Sequence, residues 1–310
     1  MKKYIIQTLL VISLFASNNK PACSQNAADY SNKVFLRKLY KDPSYLKLKE
    51  KVVSEFVHTK PGHWGEFVKG VDEDIRTKQK YIAFTFDACG GPKRNGYDKQ
   101  LITFLQKEKI PATLFVTGKW IDANFKTFLE LSKDTLFEIE NHGLNHKPCS
   151  IDGESEYGIH GTDNASQAFD EIEANARKIE ALTHYKPIYF RSATAYIDEA
   201  CSRMANKLGI TAVSFQVLSG DAVPFTPDSV IEENVIHNIS PGAIVIMHFN
   251  HPEWHTYEAM QKIIPKLRKM GYHFVQLNDY KLTSNNSLTD IKKRNLYREK
   301  GKKDYMISLK

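Results

Sequence analysis

The chain of 310 residues is poor in cysteine, with four, and its apolar segments are short. The N-terminal apolar run, Ile5–Ala16, is broken by Gln7, Thr8 and Ser13. It falls short of the roughly 20 apolar residues that span a bilayer, which excludes it as a transmembrane helix. No internal repeat recurs along the chain, and that excludes a solenoid. Acidic residues are in deficit, 36 against 43 lysines and arginines, for a net charge of +7. The imbalance is local. From Lys281 to Lys310 nine basic residues meet only Asp290, Glu299 and Asp304, so +6 of the excess lies there. A solvated basic tail is expected over residues 281–310, suited to electrostatic contact with an anionic wall or membrane surface.

What is present at the N-terminus reads as an address. Lys2 and Lys3 precede the short apolar run, and Ala22-Cys23-Ser24 offers small residues for cleavage. This is the pattern of a secretory signal peptide, expected over residues 1–24, with the protein exported to the periplasm or beyond. Lys20-Pro21-Ala22 is unlike the Leu-led box of bacterial lipoproteins, so a lipid on Cys23 is disfavoured. Nucleic acid is not expected as a partner of an exported chain. Loss of the signal leaves Cys89, Cys149 and Cys201, an odd number that permits one disulfide and leaves one thiol. The pairing is open.

A composition of 42% apolar and 25% charged residues provides for a sizeable core. Residues 25–80 read as a polar, helical lead-in, with Leu36, Leu39, Tyr40, Leu46, Leu48 and Val52 at patchy helical spacing until Pro61-Gly62 breaks it. Residues 81–280 alternate strand and helix. Strands are expected at Tyr81–Phe86, Ala112–Thr117, Phe137–Glu140, Pro187–Arg191, Thr211–Val217, Ala243–Met247 and His273–Leu277. Helical stripes run through Leu101, Phe104 and Leu105, through Phe169, Ile172, Ala176 and Ile179, and through Met260, Ile263, Ile264 and Leu267. Such alternation implies an α/β fold with right-handed crossovers. About seven mostly parallel strands suit a distorted, incomplete (β/α) barrel better than a closed eight-fold one.

Five of these segments run into a polar residue suited to catalysis: Asp87; His142 and His146; Arg191; Asp221; and His248. The carboxyl ends of parallel strands gather on one face, where sites are built. His142 and His146 are four apart, so a helix or a single turn would aim both imidazoles at one metal; chance spacing is the bland alternative. Asp87 precedes Ala88-Cys89-Gly90-Gly91, whose glycines permit close approach of backbone or substrate; a turn-capping Asp is the alternative. His248 is placed as a general acid or base, against a satisfied core histidine. His251, Glu253 and His255 form a second polar rim or a solvated loop.

The five segments resemble, in order, the five motifs of the polysaccharide deacetylases of carbohydrate esterase family 4, over roughly residues 64–279. Thr85-Phe86-Asp87 resembles motif one and Asn141-His142-Gly143-Leu144-Asn145-His146 motif two. Phe190 to Tyr196 is a looser motif three, Ser219-Gly220-Asp221 motif four and Ile244 to His248 motif five. The resemblance implies removal of N-acetyl, or else O-acetyl, groups from a glycan such as peptidoglycan or a secreted polysaccharide. Asp87 would be the base, His142 and His146 ligands to a divalent metal, Arg191 the tether of Asp87, and His248, held by Asp221, the acid. One departure matters: the family's second Asp, a metal ligand, is Ala88 here. The third ligand then falls to Cys89, Asp87, another residue or water alone, and a Cys89 thiolate would favour zinc. Motif three lacks its prolines, and motif four lacks the aromatic lining of the acetyl pocket, which Val223 or Phe225 would have to replace. Two rivals stand beside this expectation: a metal-independent amidohydrolase of the same superfamily, and a catalytically silent glycan-binding domain.

Overall fold

The computed structural model describes residues 26–284. The expected signal peptide lies outside the described residues, as does the basic tail from residue 285 onward. Among the described residues no helix is long and apolar enough to cross a membrane.

Nine strands form the main sheet: β1 (Val71–Asp72), β2 (Tyr81–Ala88), β3 (Ala112–Val116), β4 (Phe137–Asn141), β5 (Tyr189–Phe190), β6 (Thr211–Val213), β7 (Val217–Leu218), β8 (Ile244–His248) and β9 (His273–Phe274). Their spatial order is β7-β8-β2-β3-β4-β5-β6-β1, with β9 paired to β2, and every registered pair is parallel. All seven expected segments contribute. The segment Thr211–Val217 breaks into β6 and β7, and β1 is an addition from the lead-in.

The break has a structural cause. β6 and β7 are consecutive in the chain yet stand near opposite ends of the sheet, so residues 214–216 bridge the opening between its margins. The Ser214 N–H donates to the Asp72 carbonyl at 2.7 Å, and the Gln216 N–H donates to the Ile244 carbonyl at 2.9 Å. The sheet is thus curled into an incomplete barrel whose seam is three residues of chain.

Two apolar layers follow from the strand period of two. Phe84, Phe86, Leu114, Val116, Ile139, Val245 and Met247 face outward and pack with the helices. Ala83, Phe115, Tyr189, Val213, Ile244 and Ile246 fill the barrel with Phe215 and Leu277. Strands covered on both faces need near-continuous apolar runs, which is why these segments stood out in the sequence. The helices start on local signals. Asp98 caps Lys99–Glu108 by accepting from the Leu101 N–H at 2.9 Å, and left-handed Lys109 (φ 54) ends it. Asp42 and Pro43 begin Pro43–Phe56 in the same manner. That lead-in helix is fastened to the barrel: Tyr45 and Lys49 donate to Asp170 at 2.5 and 2.6 Å, and the Tyr45 and Phe169 rings lie 5.4 Å apart.

Candidate active site

Strand parity decides which residues meet. On β2 the odd positions face the barrel interior, so Thr85 and Asp87 point inward and Cys89, just past the strand, continues the series. Ala88 has the other parity and packs in the outer apolar layer. His248 ends β8 directly opposite Asp87 in register, and Arg191 follows β5. One cluster above the barrel interior therefore holds every residue expected there.

Arg191 is wholly buried. Its Nη1 donates to Asp87 Oδ1 and to Thr85 Oγ1, both at 2.8 Å, while Nη2 donates to the Ser214 carbonyl at 2.8 Å. The guanidinium also lies 4.3 Å from the Phe115 ring centroid. A buried ion pair needs further hydrogen bonds to satisfy its members; the two terminal nitrogens have them, while Arg191 Nε is buried without a partner. Asp87 Oδ2 stays clear of the arginine and lies 3.7 Å from His142 Nε2.

His142 and His146 do not share a helix. β4 ends at Asn141, Gly143 is left-handed (φ 86), and His146 itself is left-handed (φ 57). This tight loop, rather than a helical turn, brings the two rings to 5.1 Å, edge to face. Glu171 holds it. The carboxylate of Glu171 accepts the Asn145 N–H at 2.9 and 3.1 Å and the Lys147 N–H at 3.0 Å, and its carbonyl accepts the Leu144 N–H at 3.0 Å. A Cβ on Gly143 would stand 2.5 Å from Glu171 Oε1, so only glycine fits there. Glu171 sits in a π-helical turn, Asp170–Ala174, a distortion often found at functional sites.

His142 Nδ1 is 2.8 Å from the Arg191 carbonyl. A carbonyl only accepts, so Nδ1 carries the proton and Nε2 presents its lone pair to the site. Cys89 Sγ, His142 and His146 offer donor atoms all within 4.8 Å of one another, and all three residues are buried. Burial raises the Cys89 thiol, but the charge of His146 and hydrogen bonds with His142, His146 and His248 outweigh it and hold the thiol well below its ordinary range.

Asp221 orients His248. Its Oδ1 is 3.0 Å from His248 Nδ1, and its Oδ2 accepts the His248 backbone N–H at 2.7 Å. Ser219 Oγ and Thr256 Oγ1 donate to the same carboxylate at 2.9 and 3.0 Å. Burial pulls the His248 imidazole down; the Asp221 charge and its hydrogen bonds, with that of Cys89, lift it well above the usual histidine range. Residues 74–213 match the family model for polysaccharide deacetylase. The chain carries a polysaccharide deacetylase domain. It is accordingly a hydrolase of carbon–nitrogen bonds other than peptide bonds.

The deacetylase is similar to a peptidoglycan-N-acetylglucosamine deacetylase of Bacillus cereus, 26% identical over 209 residues that cover 66% of this chain and 90% of that protein. It is 25% identical over 206 residues to the peptidoglycan-N-acetylmuramic acid deacetylase PdaA of Bacillus subtilis, covering 66% and 72%. Among solved structures, a family 4 pseudoenzyme from Bacillus anthracis shares the fold, with a TM-score of 0.55 and 24% identity over 65% of each chain.

The donor set suits the metal that this family implies. Two imidazoles, one with its tautomer fixed, and a thiol held toward its ionised form make a three-ligand site of the nitrogen and sulfur type. Cys89, the next side chain after Ala88, has the parity that turns it toward His142 and His146.

Glu171, Thr256 and Trp254 escaped the sequence reading, and Thr85 and Ser219 stood there only as motif residues with no role of their own. Trp254 stacks on His251 at 3.8 Å and 6° and meets the His248 ring edge to face at 5.5 Å. Phe225, a candidate for the lost motif-four aromatic, is 93% exposed; the indole beside His248 is Trp254. His251 is also paired with Glu253 at 2.7 Å, so the rim beyond His248 is an organised aromatic and polar edge.

Proposed function

We propose that this glycan deacetylase is exported and removes N-acetyl groups from peptidoglycan, with zinc held by Cys89, His142 and His146. The observation that carries the reading is the Cys89, His142 and His146 donor set standing between a tethered carboxylate, Asp87, and an oriented imidazole, His248. When bound, the ion would supply a Lewis acid and lower the pKa of a coordinated water. Asp87 Oδ2, left free by the Arg191 tether, accepts a proton from the attacking water. Arg191 fixes the direction of Asp87 through Oδ1. His248 Nε2, aimed by the Asp221 contact at Nδ1, gives its proton to the sugar nitrogen as the carbon–nitrogen bond breaks, so acetate and a free amine leave. Trp254 lends an apolar face at the rim, suited to the ring of a sugar. Export rests on the charged start and short apolar run of residues 1–24, and peptidoglycan on the relatives of that substrate in Bacillus cereus and Bacillus subtilis.

The test is acetate release from peptidoglycan and from acetylated chitooligosaccharides, using chelator-stripped protein with and without added zinc. Zinc-restored release that His142→Ala abolishes is expected. Release that ignores the chelator would favour a metal-independent amidohydrolase, and glycan binding without release would favour a silent domain.

A further inference from the structure

Two cysteines lie away from the site and against each other. Cys149 and Cys201 are both thiols here and both fully buried, in the apolar cluster that joins the lead-in helices to the barrel. The fold fixes their separation through Asp198. The Asp198 N–H donates to the Cys149 carbonyl at 3.1 Å, and the Asp198 carboxylate caps the helix Glu199–Lys207 by accepting the Cys201 N–H at 2.6 Å. Cys149 also bridges Ile197, so the backbones on either side run together. Each thiol lies close enough to the other to affect its ionisation. Cys89 is engaged instead with His142, His146 and His248.

We propose that Cys149 and Cys201 form a disulfide as the chain folds in an oxidising compartment, leaving Cys89 as the thiol of the site. The two thiols give up two protons and two electrons to a disulfide donor, which departs as two thiols. Burial raises both thiols above their ordinary range, Cys201 well above, and the thiolate is the attacking species. Exchange in the finished fold is therefore slow, and the bond forms before the core closes and is protected afterwards. Its place gives it a consequence. Cys149 follows His146 by three residues, and its N–H donates to Ser192 Oγ at 2.8 Å, next to Arg191. The bond would tie the histidine loop and the Arg191 segment to one helix. The pairing stands on this geometry alone; only the compartment rests on the export proposed above.

The test uses the full chain carrying Cys23→Ser, denatured and reduced, then refolded in a glutathione redox buffer, alkylated and digested for mass spectrometry. A peptide linking Cys149 to Cys201, with Cys89 alkylated once the protein is unfolded in chelator, is expected. Alkylated Cys149 and Cys201, or Cys89 within the linked peptide, would overturn the pairing. Reduction should lower the melting temperature by on the order of 10 °C, and a Cys149→Ala/Cys201→Ala chain should show no such response. A pair that links in the redox buffer but is found alkylated in acid-quenched cells would overturn the export reading and leave the pairing intact.

Discussion

Glu171 touches no substrate and no candidate ligand, yet the loop that presents His146 hangs on its carboxylate. Replacing it with alanine would strip the acceptor from two backbone N–H groups, those of Asn145 and Lys147, now bonded at 2.9 to 3.1 Å. A hydrogen bond to a charged group contributes about 1.5–3 kcal/mol. Two such donors, part of whose loss water can restore at this half-buried loop, place the local cost at about 3 kcal/mol. That corresponds to a roughly hundredfold loss of hydrogen-exchange protection at residues 143–147. Glutamine keeps an oxygen in the Oε1 position, where both donors point, and should lose no more than about tenfold. The assay is amide exchange read by mass spectrometry on metal-free protein, so its outcome does not depend on the metal. Zinc affinity, measured by chelator competition, should fall 10- to 100-fold in Glu171→Ala, as for other partners that orient metal ligands, with glutamine rescuing most of it. Unchanged exchange in Glu171→Ala would refute the reasoning, since the loop would then hold its shape without the carboxylate.

Other expectations reach different parts of the molecule. Cys89→Ser should weaken zinc binding by at least about a hundredfold with little change in melting of the metal-free protein; equal zinc affinity would remove Cys89 from the ligand set. Trp254→Ala should raise KM for acetylated chitooligosaccharides by roughly three- to tenfold, the scale of an aromatic contact, with a smaller change in kcat; an unaltered KM would show that sugar does not meet this face. Glu138, inside the barrel, is raised by burial, against its bonds from Thr113, Leu277 and Asn278, to about 7 from 4.5. The folded state thus keeps a proton that the unfolded chain loses, and stability falls as pH rises from about 4.5 to 7. The gap of about 2.5 pH units is worth about 3 kcal/mol. Glu138→Gln, which keeps the neutral form, should therefore unfold in urea with a flatter profile from pH 5 to 8 and gain most at pH 8; parallel curves for the two proteins would sink that account.

The barrel was legible in the sequence because its strands are buried on both faces, and runs such as Tyr81–Ala88 and Ile244–His248 are apolar almost throughout. β1 was not, because Val71–Asp72 is two residues in a polar setting and becomes a strand only by pairing with β6, some 140 positions away. The break at Ser214 was hidden for a related reason: it follows from which neighbours those residues meet when the sheet curls. At the site, residues at strand ends could be read from position alone, and strand parity also explains the inward Cys89 and the outward Ala88. Glu171, Thr256 and Trp254 act across the fold from helices and loops, so no spacing along the chain marks them. The loop geometry of His142 and His146 was likewise open, since a separation of four is compatible with a helical turn and with the left-handed loop that the molecule uses.

The seam at residues 214–216 makes the barrel and Asp87 one mechanical unit. The Ser214 carbonyl that receives Arg191 belongs to the strip of chain holding the two margins of the sheet together. Prying the margins apart pulls that carbonyl from the arginine, and the arginine is what anchors Asp87. Catalytic competence should thus vanish at the first opening of the barrel wall, well before the outer helices melt, with the seam acting as a fuse between fold and chemistry.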